Sequence, residues 1–276
     1  MRRCSIVFMA FFLARAFAPF IALAGPPFLT DDPEPVEYRH WEMYIATLSQ
    51  GEHGGVAMTA PHFEVNYGIV PDLQIHLIAP LEYVKIAGRS SHYGYGDTEL
   101  GTKWRFYNDE EKKFMIGVYP LLEVPTGDES KGLGNGQPQV FLPLWLQKAW
   151  GPWLTYGGGG YWFNPGTGHK DFYFVGWELQ RDINKYLTLG SEFFYQAPRE
   201  TDDERHFGFN IGSIINITEN HHILLSAGTD IIGPTDFYSY FAYQFTFGPG
   251  KEPENTKPES KAGNSMWSFR DIRREL

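Results

Sequence analysis

Between positions 96 and 107 (GDTELGTKWRFY) charged and apolar residues alternate one by one. Asp97, Glu99, Gly101, Lys103 and Arg105 share one parity; Thr98, Leu100, Thr102, Trp104 and Phe106 share the other. A period of two places the two sets on opposite faces of a β-strand. The same grammar recurs in segments of roughly ten residues, near the length a tilted transmembrane strand needs. They lie near 40–49, 56–69, 73–87, 96–107, 113–124, 138–149, 153–163, 171–181, 186–197, 206–217, 222–231 and 237–247. Leu73, Ile75, Leu77, Ala79, Leu81 and Tyr83 oppose Gln74, His76, Pro80 and Glu82. Tyr173, Val175, Trp177 and Leu179 oppose Glu178 and Gln180, and Phe207, Phe209, Ile211, Ile215 and Ile217 oppose His206, Asn210 and Asn216. Phe237, Phe241, Tyr243, Phe245 and Phe247 oppose Tyr238, Tyr240, Gln244 and Thr246. One face is thus apolar along its whole length, and the other stays polar through mid-strand.

The connections separate into two classes. Pro71-Asp72, 108–112, 150–152, 182–185 and 218–221 are tight; the links between them, at 51–55, 88–95, 125–137, 164–170, 198–205 and 232–236, are mostly longer. Short turns on one side and long loops on the other are expected of an outer-membrane barrel, and a soluble sandwich has no reason to alternate them. The pattern predicts an all-β protein: a transmembrane antiparallel up-and-down β-barrel of about 12 strands over residues 40–247, with both ends on the short-turn, periplasmic side.

Composition supports this reading. Aromatic residues make up 17% of the 276 and charged residues only 20%. Trp41, Tyr67, Trp104, Phe106, Trp150, Trp153 and Tyr186 fall near the short-turn side, and Tyr83, Trp162, Phe172, Tyr195 and Phe237 near the long-loop side. Rings at two levels suit two membrane interfaces. Gly157–Gly160 lies inside a strand, followed by neither a helix nor a Lys-Ser/Thr pair, so it is no phosphate loop; glycines there allow strong curvature or the close approach of an inward segment.

Residues 1–24 read as a secretory signal: Arg2 and Arg3, an apolar run, and Ala22-Leu23-Ala24 before Gly25. The signal carries the only cysteine, Cys4, ahead of the apolar run from Ile6 to Ala24, which Arg15 interrupts. The expected address is the outer membrane of a Gram-negative cell after Sec export, with outer-membrane lipids as surroundings. Losing the signal removes three Arg and no acid, which leaves the chain more acidic than its net charge of −10 and a poor binder of nucleic acid. Residues 25–39 form a Pro-rich acidic lead-in on the periplasmic side, and residues 248–276 a polar tail expected to be disordered.

The opening PFLTDDPEPVEYRHWE (27–42), the stretch GDTELGTKWRF (96–106) and the run ILLSAGTD (223–230) resemble the outer-membrane transporters grouped with the "MetA-pathway of phenol degradation" proteins. The resemblance covers most of the chain after the signal. It implies an outer-membrane barrel passing small, often aromatic or hydrophobic, compounds, and it brings no catalytic residues.

The expected function is therefore a passive channel for a small-molecule solute, with no cofactor and no metal. The residues expected to face the lumen and set selectivity are His76, Glu82, Asp97, Glu99, Lys103, Arg105, Glu123, Glu178, Glu192 and Asp230. Glu99 and Glu123 are candidates to face each other across strands. Asp31, Asp32, Glu34 and Glu37 crowd one Pro-stiffened segment at the mouth toward which Lys103 and Arg105 point. Two readings stand for it: a solvated linker, or a latch held by charge-assisted hydrogen bonds. Other function classes are a lipid-hydrolysing barrel, for which His221, His222 and Ser226 are the nearest candidates although no nucleophile elbow surrounds them, and a structural or adhesive barrel.

Overall fold

The computed structural model describes residues 26–52 and 54–249. The signal segment and nearly all of the tail lie outside those residues. Fourteen strands follow in chain order: β1 (Trp41–Glu52), β2 (Gly55–Val70), β3 (Leu73–Ile86), β4 (His92–Tyr95), β5 (Thr98–Asp109), β6 (Phe114–Val118), β7 (Leu121–Val124), β8 (Gln139–Trp150), β9 (Trp153–Phe163), β10 (Phe172–Asn184), β11 (Leu187–Gln196), β12 (His206–Asn216), β13 (His221–Ile232) and β14 (Thr235–Phe247). All named pairings are antiparallel, and β1 closes the sheet on β14 from Trp41↔Phe247 to Glu52↔Thr235.

Two walls are built from two strands each. β4 pairs with the upper part of β3 and β5 with its lower part, so 92–109 crosses once with a break at Gly96-Asp97. β6 and β7 both lie between β5 and β8, with a break at Tyr119-Pro120, where the proline has no N–H to give to the ladder. The barrel therefore has twelve staves. The crossing expected to start at Gly96 starts at His92, because β3 continues upward and offers His92–Tyr95 a partner.

β1 pairs with β14, β3 with β5 and β7 with β8, so the ladder closes on itself through the membrane-spanning part, as backbone groups in lipid require. The outer parity is exposed and apolar: Leu77, Leu144, Trp177, Phe193, Ile211 and Phe241 all face outward. In a water-soluble protein such a belt would be an aggregation surface; facing acyl chains it is at equilibrium. Ile211, 61% exposed in mid-β12, marks its depth. Ile211→Arg should cost about 2–4 kcal/mol at the bilayer midplane, whereas inward Gln244→Arg should be tolerated. Urea unfolding in lipid vesicles measures both, and equal damage would mean that the outward face is not in lipid.

The two aromatic levels need one correction. Trp104, Phe106, Trp150 and Tyr186 are exposed at the short-turn end, and Phe237 at the other. Trp162 and Phe172 are instead buried inside the barrel, and their outward neighbours Tyr161, Phe163 and Tyr173 stand at the surface. A run of consecutive aromatics such as YWF or DFYF hides which parity faces in.

The interior is accordingly less polar than alternation alone suggests. Phe141 stacks on Trp162 at 4.7 Å, Trp162 on Phe172 at 5.9 Å, and Phe194 meets Tyr238 edge-on at 5.3 Å. With Trp145 and Phe174 these rings pack one side of the lumen. Gly158 and Gly160 sit under them: a Cβ on Gly158 would stand 3.1 Å from the Trp145 ring, and one on Gly160 2.7 Å from that of Phe141. The glycine run thus admits the rings of the neighbouring strand.

Candidate functional site

The lumen is occupied from the short-turn end by the chain's own residues 26–37. Three small inward residues lie side by side on successive strands, since Gly190 pairs with Gly212 and Gly212 with Ser226. The Phe28 ring covers this row, and a Cβ on Gly190 or Gly212 would meet it at 2.7 or 2.8 Å. Gly176 leaves the same kind of room for Thr30, and Gly117 for Pro33. Ser226 Oγ donates to the Pro27 carbonyl at 2.5 Å.

Polar groups of the wall complete the seat. Glu192 accepts from the Leu29 and Thr30 amides, both at 2.8 Å, and from Thr30 Oγ1 at 2.7 Å. Asn210 Nδ2 donates to the same carboxylate at 2.6 Å. Lys103 Nζ lies 2.9 Å from Asp31 Oδ1 and 3.6 Å from Asp32 Oδ1, and Asp31 and Lys103 are both buried. The ammonium also stands 4.9 Å from the centroid of the Tyr119 ring. Gln147 donates to Glu34 at 2.8 Å, and the Val36 amide to Gln74 at 2.8 Å.

Two of the charges expected to join a latch do not. Arg105 pairs with Asp72, Nη2 to Oδ1 at 2.6 Å and Nε to Oδ1 at 2.9 Å. Leu73 is registered with Trp104, so the Pro71-Asp72 turn ends beside Arg105 and reaches it before the segment does. Glu37 is exposed, with His40 3.9 Å away.

The remaining lumen residues fall into separate groups. His76 bridges Asn66 Oδ1 at 2.6 Å and Glu99 Oε1 at 2.8 Å, and Asn66 donates to Glu64 at 2.7 Å. Glu99 and Glu123 are cross-strand partners, as are Glu178 and Glu192. Asp230 accepts from the Tyr238 hydroxyl at 3.0 Å and the Thr235 amide at 3.0 Å, and lies 2.9 Å from His206 Nδ1. Asp97 accepts the amides of Gly127 at 2.8 Å and Asn135 at 2.6 Å. It thereby folds the 125–137 loop into the upper mouth, where Leu133 is buried against Ala57 and Val84. A small cavity borders Phe28 and Leu29 of the segment, with Glu82, Asp97 and Glu123 in its wall.

Glu64, Asn66, Gln74, Asn210 and Gln147 belong to this lumen although the alternation did not single them out as functional. For Glu64 and Asn66 the reason is local. The register of β2 slips between Thr59 and His62, at Ala60-Pro61, so the inward parity changes there. Pro61 in a strand pattern is the available signal.

The hydrolase pairing is absent. Ser226 is bonded to Pro27, His222 Nδ1 to Asn216 Oδ1 at 2.7 Å, and His221 Nδ1 to the Tyr243 hydroxyl at 2.5 Å. Four residues of extended chain separate Ser226 from His222 by roughly 13 Å. Among the described residues no three His, Cys, Asp or Glu side chains group as a metal site.

No protein-family model matches the chain, and no curated protein does. Solved structures do. The COG4313 outer membrane channel from Pseudomonas putida F1 superposes with a TM-score of 0.63 at 15% identity, over 78% of this chain and 98% of that one. What the two share is the fold, a closed antiparallel outer-membrane β-barrel. The KdgM porin superposes with a TM-score of 0.52 at 11% identity, over 74% of this chain and 99% of that one. The likeness is one of architecture, and the resemblance to the phenol-degradation transporters is met at that level alone.

Proposed function

We propose that the protein is a passive outer-membrane channel for small solutes, gated by its own residues 26–37. The observation that carries this is how the segment is held. Leu29 joins the buried apolar cluster of the wall. Most of the other contacts that seat the segment are hydrogen bonds, together with one buried ion pair. Such contacts exchange readily for water, because a net hydrogen bond contributes only about 0.5–1.5 kcal/mol. Small and partly apolar solutes suit the path. The cavity wall mixes Leu48, Ile78, Pro80 and Tyr240 with carboxylates, and no wide aqueous lumen is expected of twelve strands. Aromatic compounds fit the same lining, in keeping with the family resemblance.

Purified protein reconstituted in a planar bilayer should show small, infrequent conductance steps. It should also render vesicles permeable to small solutes while excluding large sugars. A silent membrane and impermeable vesicles would remove the channel reading and favour a structural barrel.

A further inference from the structure

We propose that the place Asp31 occupies beside Lys103 is a binding site for a small organic acid: one carboxylate on a compact apolar body, bound in exchange for the segment. The proposal rests on the channel reading and names the solute class. Residues 26–37 are themselves a ligand of the wall, so the groups that hold them show what the wall recognises. Glu192, Gln74 and Ser226 meet the main chain of Pro27, Leu29, Thr30 and Val36, which any peptide offers. Gln147 meets the Glu34 carboxylate with a neutral amide. Lys103 meets a carboxylate with a full charge: its ammonium lies 2.9 Å from Asp31 Oδ1, the Lys103 side chain 8% and that of Asp31 0% exposed. Asp32 adds a second oxygen at 3.6 Å, and the Tyr119 ring stands 4.9 Å from the ammonium. Arg105, on the same face, is taken by Asp72.

The hydrogen bonds of the seat pass to water as the segment leaves, but a buried ammonium stripped of its counter-charge is costly. At this one place an incoming anion is favoured over water alone. Leu29 and Asp31 leave together. Leu29 belongs to the buried apolar cluster of the wall, and so does Tyr119, the ring beside the ammonium. The vacated space thus sets an apolar surface next to one fixed positive charge, which suits a carboxylate on a ring or short alkyl chain. An amine would bring a second cation to Lys103, and a neutral alcohol would leave it uncompensated. The number of acids is also set. In the seated state two aspartates crowd the one cation, and Glu42 of the wall lies within electrostatic reach of it. A solute with a single carboxylate replaces both aspartates and removes one surplus negative charge; a diacid would restore it. A solute that binds only the vacated site shifts the equilibrium away from the seated segment.

The test uses the full chain in non-ionic detergent micelles and three probes of similar size: phenylacetate, 2-phenylethanol and phenethylamine. Isothermal titration should show phenylacetate binding one to one, about tenfold or more tighter than either other probe, the scale of a charge-assisted hydrogen bond. Two variants break the same ion pair from opposite sides. Asp31→Asn with Asp32→Asn weakens the competitor and keeps the cation, so phenylacetate should bind about tenfold tighter. Lys103→Gln removes the cation, so phenylacetate should bind about tenfold more weakly. A role confined to holding the segment would move both variants the same way. Heat-modifiable gel mobility checks that each barrel is folded, and if Lys103→Gln fails to fold, the gain in the asparagine pair carries the test. Equal binding of the three probes, or phenylacetate affinity that does not rise in the folded asparagine pair, would overturn the proposal. Bilayer recording on the same preparations separates the two readings. Conductance without a preference for phenylacetate removes the site and keeps the channel; phenylacetate binding without conductance does the reverse.

Discussion

Deleting residues 26–34 should raise single-channel conductance several-fold above that of the full chain. The deletion takes Phe28 off the Gly190–Gly212 row, Thr30 off Glu192 and both aspartates off Lys103. What it leaves is a closed ladder of twelve staves whose hydrogen bonds owe nothing to the segment, so the wall persists. The vacated space runs from the short-turn mouth to the cavity that Phe28 and Leu29 border. The loop remains, anchored on Asp97, so the opened pore keeps an upper constriction and stays smaller than a general diffusion porin. Planar-bilayer recording at matched salt measures the effect. Unchanged conductance would make the segment a linker and take it out of the mechanism.

Lys103→Glu should have the next largest effect. The native ammonium is buried with Asp31, and Asp32 lies within reach. Removing one partner of a buried pair costs about 3–5 kcal/mol, because the other charge is left uncompensated. Reversing the sign adds repulsion from two aspartates. That cost is of the same order as what the hydrogen bonds to Glu192, Gln147 and Gln74 contribute together, so the seated state should lose much of its population. The variant should conduct like the deletion. Adding Asp31→Lys and Asp32→Lys should restore part of the closed behaviour. Arg105→Glu should do little, because Arg105 holds Asp72 and not the segment. Indistinguishable records from Lys103→Glu and the unmodified chain would show that the ion pair does not hold the gate.

The wall of this protein is legible in its sequence to a degree that its contents are not. Lipid imposes one rule on every outward position, so Leu77, Trp177, Ile211 and Phe241 announce their face by alternation alone. The lumen obeys no such rule. It accepts Glu178 and Phe174 on the same strand and the same parity: one stands beside Glu192 over Gly190, and the other stacks on Phe194. Trp162 and Phe172, expected at the membrane interface, therefore went inward unannounced. Lys103 and Arg105 share a face, yet only Lys103 meets the acidic segment; a turn residue, Asp72, satisfies the other. Which of two equivalent cations a distant carboxylate finds depends on where a turn ends in space, and no local pattern records that. The glycine seat is intermediate. Gly190, Gly212 and Ser226 all fall on inward parities, but their alignment depends on strand register, which emerges only once the barrel closes. Asp97 falls on an inward parity, while its partners, two amides of the loop, lie about thirty to forty residues away.

The gate itself can be tested with a removable tether. A Cβ built on Gly176 would stand 3.0 Å from the Cβ of Thr30, so a shift of the segment by about 0.5–1 Å brings the pair to the separation a disulfide spans. Thr30→Cys and Gly176→Cys, placed together in a Lys103→Glu, Cys4→Ser background, tie the segment into a lumen it would otherwise leave. Conductance is then recorded on one membrane before and after dithiothreitol. Gating by the segment predicts low conductance while the disulfide is intact and a several-fold rise on reduction, with no change in the same background lacking the paired cysteines. Equal conductance in the oxidised and reduced states would contradict it.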